Sequence, residues 1–326
     1  MRSRAVKVEK EKAQETLKEF YKKGIVKKEL KIKKEGEYVI IPVTECPQSF
    51  ECIEAEFEER KRSVSLKDCL KQRVGEGNWP RSFSIIGDIA VISANEEILR
   101  YGKEIAECIM ENQRVKSVWA KVSTEGEERV ARLIHLGGER RTVTTYKEHG
   151  LSFKVDIAKV YINPSFAEEH ARVAGLVRDG ERVLDAFSGL GFFSFHIAKN
   201  KRCECFAIDL NPWAIKFMIE NIERNKRKLK GIIIPIMSPF ELISSAFKRK
   251  YFDVTIMNLP HKAYQYLDRA IELTKRLIVL YVVGGEEEVK NKVEGYNVLN
   301  MLKVIDYAPY KYIWRVEISP EGSGRS

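Results

Sequence analysis

The sequence predicts an α/β protein in which a Rossmann-like C-terminal domain with a mostly parallel seven-stranded sheet follows two smaller α/β domains. Three observations lead to this prediction. Apolar strand candidates alternate with helical stretches after residue 156, and such alternation predicts a parallel sheet with helices on both faces. The first of these strands breaks at the turn Gly189-Leu190-Gly191 and continues as a helix. The length of 326 residues suffices for two or three domains.

The first two predicted domains are recognised by their helices and turns. In the first, apolar residues recur at helical spacing until Gly24, and two strand candidates follow. In the second, Gly87-Asp88 separates two apolar runs as a tight turn, and an amphipathic helix is predicted over 95–112. The predicted domains are a small basic module at 1–62, a mixed α/β middle domain at 63–155 and the Rossmann-like domain at 156–326.

The third predicted domain has five apolar strands followed by a different pattern. Two long strand candidates joined near "APY" predict an antiparallel hairpin that closes the sheet. Together these segments make the seven strands of the predicted sheet. The strand candidates are "RVLDAF", "CECFAIDL", "GIIIPIM", "FDVTIMNL" and "RLIVLYVV", and the hairpin lies within 296–319.

Composition restricts the classes of partner. The formal net charge is +10, and residues 1–34 hold thirteen basic side chains against five glutamates, which favours nucleic acid as a partner. No apolar run approaches the roughly 20 residues of a membrane span, and the N-terminus lacks the apolar core of a signal peptide. We therefore expect a cytoplasmic protein with no membrane partner. We interpret the six cysteines as apolar packing residues in a reducing compartment and predict no metal site.

The glycine turn predicts the cofactor. In open α/β sheets, ligands bind beyond the carboxyl ends of the strands, and Gly189 and Gly191 allow the backbone to approach a ligand closely. Asp185 precedes the turn, and Asp209 ends the next strand eighteen residues after Gly191, where a carboxylate binds two ribose hydroxyls. A carboxylate before the turn repels pyrophosphate and suits a ligand with a cationic end. These features favour S-adenosylmethionine, which has an ammonium, a sulfonium and a ribose but no phosphate.

Further residues complete the predicted pocket. Phe187 and Leu210 each follow one of the two acidic strand ends, and we assign both to the cofactor site. Asn258-Leu259-Pro260 follows the fourth parallel strand and resembles the N-P-P-Y type loop of enzymes that methylate base nitrogens. An asparagine there presents an amide and a carbonyl beside the methyl group, and Pro260 stiffens the loop.

Several segments together resemble the archaeal and eukaryotic tRNA (guanine-N1-)-methyltransferase family, which acts at position 37 of tRNA. The resemblance covers nearly the whole chain. It implies a three-domain monomer with a C-terminal class I methyltransferase domain and S-adenosylmethionine as the cofactor. It also implies tRNA contacts at the anticodon loop and, through the N-terminal module, at the outer corner. The segments are "ERVARLIHLGGERRTVTTYKEHG", "VDIAKVYINP", "DAFSGLGFFS", "AIDLNPWAI" and "MNLPHKAYQYLDRA".

The resemblance implies roles for individual residues. The family's general base falls on Glu169, its catalytic arginine on Arg129 and the tyrosine near the target base on Tyr161. Its ribose acid falls on Asp209 and its loop asparagine on Asn258. The basic N-terminal segment can bind phosphates elsewhere on the tRNA; the lysines assigned to this role are Lys22, Lys23, Lys27 and Lys28.

Three positions depart from the family's pattern. His170 stands after the predicted base, where the family often has arginine, and we assign it to the cofactor site. Ser238 follows the third strand, where the family often has aspartate, so we expect backbone groups to hold the adenine ring there. Leu259 replaces the first proline of N-P-P and leaves room for a broader choice of substrate.

The residue types suit base methylation. Guanine N1 loses a proton as its bond to the methyl group forms, and a carboxylate such as Glu169 is the simplest acceptor. Charge then moves onto O6, where the planar guanidinium of Arg129 stabilises it. Two alternatives remain open. One is an enzyme of the wyosine pathway that acts at the same nucleotide by carbon methylation, alone or in addition to N1 methylation, or by aminocarboxypropyl transfer, and the other is a non-catalytic tRNA-binding protein.

Overall fold

A computed structural model describes residues 1–59, 64–80, 82–125 and 130–322. The chain forms two compact units, Met1–Ser65 and Leu66–Ser326. Within the described ranges, the helices are too short or too polar to cross a membrane.

The first unit is a four-stranded antiparallel sheet with one helix. Its elements are β1 (Arg2–Glu9), α1 (Lys10–Lys23), β2 (Lys33–Glu35), β3 (Tyr38–Pro42) and β4 (Cys52–Glu56). The strand order is β2-β3-β1-β4. Helix α1 ends at Gly24 as predicted, where φ is 71° and the backbone N–H reaches the carbonyls of Phe20 and Tyr21. Strand β1 was not predicted, because it has many basic residues and leads directly into the helix.

The second unit begins with a four-stranded sheet covered by helices. Its first elements are α2 (Leu66–Val74), β5 (Ser84–Ile86), β6 (Ile89–Ser93), α3 (Glu96–Leu99), α4 (Gly102–Asn112), β7 (Ser117–Glu125) and β8 (Val130–Gly138). The order is β5-β6-β7-β8, and only β6 and β7 in this sheet are parallel. The turn at Gly87-Asp88 joins β5 to β6 as predicted. The helix predicted over 95–112 is interrupted between α3 and α4.

The rest of the second unit is built on the seven-stranded sheet. Its elements are β9 (Val143–Glu148), β10 (Leu151–Asp156), α5 (Ala167–Ala174), β11 (Arg182–Asp185), α6 (Phe192–Asn200), β12 (Glu204–Asp209), α7 (Pro212–Asn225), β13 (Ile232–Met237), α8 (Phe240–Ala246), β14 (Phe252–Met257), α9 (Leu267–Leu273), β15 (Thr274–Gly284), α10 (Glu286–Lys292), β16 (Asn297–Ala308) and β17 (Lys311–Ser319). The sheet has the order β13-β12-β11-β14-β15-β17-β16. Strands β11 to β15 are parallel, whereas β16 and β17 are antiparallel. The predicted fold class, including the closing hairpin, is confirmed.

The hairpin β9–β10 is attached to α7 by two asparagine side chains. The Asn221 amide accepts a hydrogen bond from Lys154 N–H (2.7 Å) and donates one to the Lys154 carbonyl (2.9 Å). Asn225 does the same with Ser152, at 3.0 and 2.7 Å. The two amides thus act as a neighbouring strand for β10, because each supplies one donor and one acceptor.

The cysteines correct the sequence-based interpretation. Cys46 is disulfide-bonded to Cys52, and Cys69 on α2 is bonded to Cys108 on α4. The prediction of packing thiols is therefore wrong for these four residues. Cys203 and Cys205 are free and buried, as predicted, with sulfur atoms 3.6 Å apart.

Candidate active site at the carboxyl edge of the sheet

The parallel strands bring four predicted site residues to one edge of the sheet. Asp185 and Asp209 end the adjacent strands β11 and β12. Ser238 and Asn258 directly follow β13 and β14, the strands on either side of this pair. Residues separated by 20 to 73 positions in the chain therefore lie at one edge, which is where parallel α/β sheets bind ligands.

Asp185 has a carboxyl oxygen without a partner. The side chain is fully buried, and Oδ2 accepts a hydrogen bond from Ser194 Oγ at 2.8 Å. Within the described residues, Oδ1 is buried and has no hydrogen-bond partner. Burial raises the pKa of Asp185 to about 7, although the Ser194 hydrogen bonds act in the opposite direction. A cationic ligand group at Oδ1 would both satisfy this oxygen and favour its ionised form.

The turn after Asp185 needs glycine for its backbone and leaves space beside it. Gly189 has φ 54° and Gly191 has φ 80°, both in the left-handed region. A Cβ at Gly189 would meet no atom within 4 Å, whereas one at Gly191 would lie 3.1 Å from Met218 Sδ. Gly189 N–H donates to Asp209 Oδ2 at 2.6 Å. The second acid therefore holds the turn, and the space beside Gly189 is open to a ligand.

Asp209 connects the turn to the next helix. Its Oδ1 accepts a hydrogen bond from Asn211 N–H at 2.9 Å. The Asn211 side chain in turn caps α7 by accepting from Trp213 N–H at 2.9 Å, as expected for asparagine followed by proline. Between them, Leu210 is 40% exposed. An apolar side chain at the surface of this edge is consistent with the predicted pocket position.

The remaining predicted pocket residues line the same edge or support it. Phe187 contacts the rings of Phe240 and Tyr266, with centroids 5.4 and 5.7 Å away. Ser238 N–H donates to the Asp209 carbonyl at 3.2 Å. The Ser238 hydroxyl instead bonds the carbonyl of the following residue at 3.1 Å. The aromatic side chains thus form an apolar wall next to the turn.

The loop after β14 is tied to the sheet but leaves its asparagine available. The Pro260 carbonyl accepts a hydrogen bond from Val283 N–H of β15 at 3.0 Å. Leu259 packs on the apolar core and its carbonyl accepts from Lys262 and Ala263 N–H. The half-buried Asn258 side chain makes no hydrogen bond to any residue in the described part of the chain. Its amide is therefore held at the sheet edge with both polar groups open.

Glu169 is held by two residues of neighbouring strands. Its Oε1 accepts hydrogen bonds from the Tyr281 hydroxyl and from Arg315 Nη1, both at 2.8 Å. Tyr281 and Arg315 are paired across β15 and β17, so their side chains project from the same face of the sheet. Met257, the residue before Asn258, pairs with Leu280, the residue before Tyr281. The sheet thus places the carboxylate of Glu169 near the level of the Asn258 loop.

Burial strengthens this three-residue cluster. Glu169 and Arg315 are 3% and 4% exposed, so solvent does little to screen their attraction. Burial and, next, the Glu169 charge raise the pKa of Tyr281 well above its usual value, so its hydroxyl remains a donor. Arg315 Nε lies 2.9 Å from Glu317 Oε1 but is not aligned for a hydrogen bond. The cluster therefore has one fully engaged carboxyl oxygen, Oε1 of Glu169.

The remaining predicted residues belong to other elements or lie beyond the described ranges. His170 hydrogen-bonds Glu148 through Nδ1 at 2.7 Å, and among the described residues no hydrogen bond or ion pair joins it to either acid of the glycine turn. Tyr161 is 40% exposed, with Lys121 Nζ 5.5 Å from its ring centre. Arg129 lies outside the described residues. In the first unit, the predicted lysines follow or end α1; they are Lys22, Lys23, Lys27 and Lys28.

Sequence reasoning missed Tyr281 and Arg315. Each is a polar residue within an apolar strand, "RLIVLYVV" and "YIWRVEIS". A charged residue is seldom fully buried unless it is paired. Arg315 within an apolar strand therefore indicates that an acidic side chain is buried beside it. The identity of that acid is visible only in the fold.

Three family models match successive segments of the chain. Residues 144–306 match the model of the TRM5/TYW2 methyltransferase domain. Residues 66–142 match the TYW2 N-terminal domain, and residues 5–51 match the tRNA methyltransferase 5 N-terminal domain. The chain is 37% identical over 307 residues to the tRNA (guanine(37)-N(1))-methyltransferase Trm5b of Pyrococcus abyssi, which covers 89% of this chain and 90% of the relative.

Two solved structures extend the comparison. The complex of aTrm5 with tRNALeu is similar with a TM-score of 0.68 and 30% identity, over 97% of this chain and 99% of that chain. The TYW2 of M. jannaschii in complex with AdoMet is similar with a TM-score of 0.52 and 25% identity, over 73% of this chain and 98% of that chain. From its sequence, its domains and its fold, the chain belongs to the TRM5/TYW2 family of methyltransferases.

Proposed function

We propose that the protein transfers a methyl group from S-adenosylmethionine to N1 of guanosine 37 of tRNA. The observation that carries this proposal is the unpartnered buried oxygen of Asp185 beside the open turn at Gly189, at the same sheet edge as Asn258. Similarity to a tRNA (guanine(37)-N(1))-methyltransferase over 89% of the chain supports the choice of substrate.

The predicted cofactor, S-adenosylmethionine, is confirmed by the family match and by the similarity to a structure that contains it. The residues fit it: Asp185 Oδ1 is an unsatisfied buried acceptor that suits the ammonium group, and Asp209, which ends the neighbouring strand, is assigned to the ribose hydroxyls. Phe187 supplies an apolar wall. At Ser238, where the family often has aspartate, the backbone groups after β13 are assigned to hold the adenine ring. When bound, S-adenosylmethionine supplies an electrophilic methyl group.

Glu169 serves as the base in this proposal, through the oxygen that the cluster leaves open. Tyr281 and Arg315 both occupy Oε1. Within the described residues Oε2 accepts no hydrogen bond, and its nearest cation, Arg172 Nη1, is 3.7 Å away. The Oε1 contacts fix the carboxylate plane, so Oε2 is oriented to accept the N1 proton. The Asn258 amide then orients the base edge, and Arg129 is assigned to the charge that develops on O6.

The proposed tRNA contacts are divided between the site and the first unit. A loop base can be extruded at a cost of a few kcal/mol and stacked on an aromatic ring, and the exposed ring of Tyr161 is assigned this contact. The lysines around the end of α1 are assigned to phosphates of the outer corner. Because the first unit and the catalytic domain are parts of one chain, binding of one to the tRNA raises the effective concentration of the other at the same tRNA, and the overall affinity rises.

The proposal is tested with an unmodified tRNA transcript, labelled S-adenosylmethionine and mass spectrometry of the digested nucleosides. We expect 1-methylguanosine as the product and no transfer to a transcript with adenosine at position 37. Two results would contradict the proposal. Carbon methylation or an aminocarboxypropyl nucleoside from a wyosine-type precursor would assign the wyosine pathway, and tight tRNA binding without cofactor binding in calorimetry would assign a binding protein.

A further inference from the structure

A second group of ionisable side chains lies buried away from the glycine turn. Glu148 ends β9, His170 lies on α5 and His196 lies on α6. His170 Nδ1 and His196 Nε2 both approach Glu148 Oε1 to 2.7 Å. One ligand atom from each of the three residues lies within 4.8 Å of the others. Three metal-binding side chains, one glutamate and two histidines, therefore converge from three separate elements on one point.

The cluster holds a buried carboxylate that pairs with no lysine or arginine of the described residues. The side chains of Glu148, His170 and His196 are 2%, 6% and 1% exposed. No lysine or arginine in the described ranges forms an ion pair with Glu148. A buried carboxylate normally has a cation or a metal ion to balance it, because removing an ion from water costs several kcal/mol. Both imidazole nitrogens contact the same carboxylate oxygen, Oε1, and a cation bound among the three side chains would balance the carboxylate charge.

The surroundings keep these ligands in position. The His170 ring is stacked on Phe192, with centroids 5.2 Å apart and an angle of 9° between the planes, and Phe193 lies edge-on at 4.7 Å. Tyr146, which is also buried, bonds Glu148 through its hydroxyl. An apolar shell and a hydrogen bond to a ligating carboxylate are the features that orient the ligands of a metal site.

We propose that Glu148, His170 and His196 bind a divalent transition metal of the zinc type. Two imidazole nitrogens and one carboxylate oxygen form a donor set that zinc accepts, with a fourth position for water. A tetrahedral ion about 2.0–2.1 Å from each nitrogen requires the three ligand atoms to separate to about 3.4 Å. Metal binding would therefore lengthen the two nitrogen–oxygen contacts from 2.7 Å by about 0.7 Å.

The site has a structural role. It joins the hairpin strand β9 to α5 and α6, and its ligand His170 is the neighbour of Glu169 in α5. Helix α6 begins directly after Gly191 of the cofactor turn. An ion that fixes α5 against α6 thus fixes the segment that carries the proposed base relative to the cofactor turn. The sequence predicted no metal here, because the three residues have no recognisable metal-site spacing.

The first experiment uses the untagged full-length wild-type protein. It is treated with a chelator, re-equilibrated with zinc sulfate and analysed by mass spectrometry for metal content, and its thermal unfolding is recorded with and without zinc. We expect about one zinc ion per chain and a rise in Tm with zinc. Cobalt as the probe should give the visible absorption of a tetrahedral ion. Metal content below about a tenth of an ion per chain, with an unchanged Tm, would overturn the proposal.

Variants locate the ion. His196→Gln should lose zinc and the zinc-dependent rise in Tm, whereas His196→Cys, which retains a ligand, should keep both. The matched control is His261→Gln, because His261 is an exposed histidine on the loop after β14. Its zinc content should equal that of the wild type. Full zinc retention in His196→Gln would place the ion elsewhere and refute this assignment, and the wild-type measurement decides the case if that variant does not fold.

Discussion

Arg315 Nη1 lies 2.8 Å from Glu169 Oε1, although the two residues are 146 positions apart in the chain. Tyr281, the cross-strand neighbour of Arg315, reaches the same oxygen at 2.8 Å. The final hairpin of the sheet therefore positions a carboxylate on a helix that precedes the whole sheet. This relationship makes Arg315 a positioning residue for the proposed base.

Replacing Glu169 tests the base itself. Glu169→Gln keeps the shape of the side chain but cannot accept the N1 proton, so single-turnover methyl transfer should fall by about 10²- to 10⁴-fold. Cofactor affinity, measured by calorimetry, should change little. A single-turnover rate equal to that of the wild type would show that another group accepts the proton.

Replacing Arg315 tests the positioning role. Arg315→Met should lower kcat by about 10- to 100-fold with little change in KM for tRNA, because a misplaced carboxylate affects the chemical step. It should also destabilise the fold by about 3–5 kcal/mol, since the buried Glu169 then keeps, among the described residues, only the exposed Arg172, at 3.7 Å, as a cationic neighbour. Arg315→Lys should recover part of the rate.

The control is Arg276→Met, which removes the ion pair with Glu181 at the other end of β15. That variant should lose stability but not kcat per active site, and equal losses of kcat in the two variants would reduce Arg315 to a structural role.

Asp185 predicts a pH dependence of cofactor binding. Its pKa is raised to about 7 by burial, so the carboxyl is protonated below pH 7 and ionised above it. Because the ammonium of S-adenosylmethionine requires the ionised form, affinity should rise with pH and be about tenfold weaker at pH 6 than at pH 8. Calorimetric titration across this range measures the effect. Asp185→Asn should bind weakly at both values, and a wild-type affinity independent of pH would contradict the assignment.

The basic end of α1 predicts salt-dependent tRNA binding. Lys22 and Lys28 are exposed, so replacing both with alanine should weaken tRNA binding and reduce the slope of log K against log salt by about one to two units. Lys12, in the first turn of the same helix, is paired with Glu9 at 3.2 Å. Lys12→Ala is therefore the control and should leave the slope nearly unchanged. Identical slopes for the wild type and the double variant would exclude a phosphate contact at these lysines.

The asparagines of α7 predict a specific loss of stability. Asn221→Ala leaves both the N–H and the carbonyl of Lys154 without their partner, which should lower the free energy of unfolding by about 2–4 kcal/mol. Urea denaturation measures this loss. In the control Asn200→Ala, the lost side-chain bond joins Asn200 only to His196 of its own helix, and the loss should be below about 1 kcal/mol. A similar loss in both variants would show that the hairpin attachment adds no stability.

Features encoded over short stretches were predictable from the sequence. The strand that ends at Asp185, its glycine turn and the acid that ends the next strand lie within 28 residues of the chain, and each depends on local backbone preferences. The alternation of strands and helices predicted the parallel sheet, and the change of pattern near residue 296 predicted its closing hairpin. The interruption between α3 and α4 and the disulfide between Cys69 and Cys108 were not predictable, since both depend on packing between elements.

The sequence alone thus determined the sheet, the cofactor edge and the family resemblance, because periodicity, turn residues and motifs are properties of neighbouring residues. Only the tertiary structure decided what surrounds the carboxylates. Strand register places Arg315 and Tyr281 on Glu169, and the packing of α5 against α6 places two histidines on Glu148. Such contacts join residues 22 to 146 positions apart. Their geometry follows from which strands pair and which faces meet, and no local pattern in the chain encodes that choice.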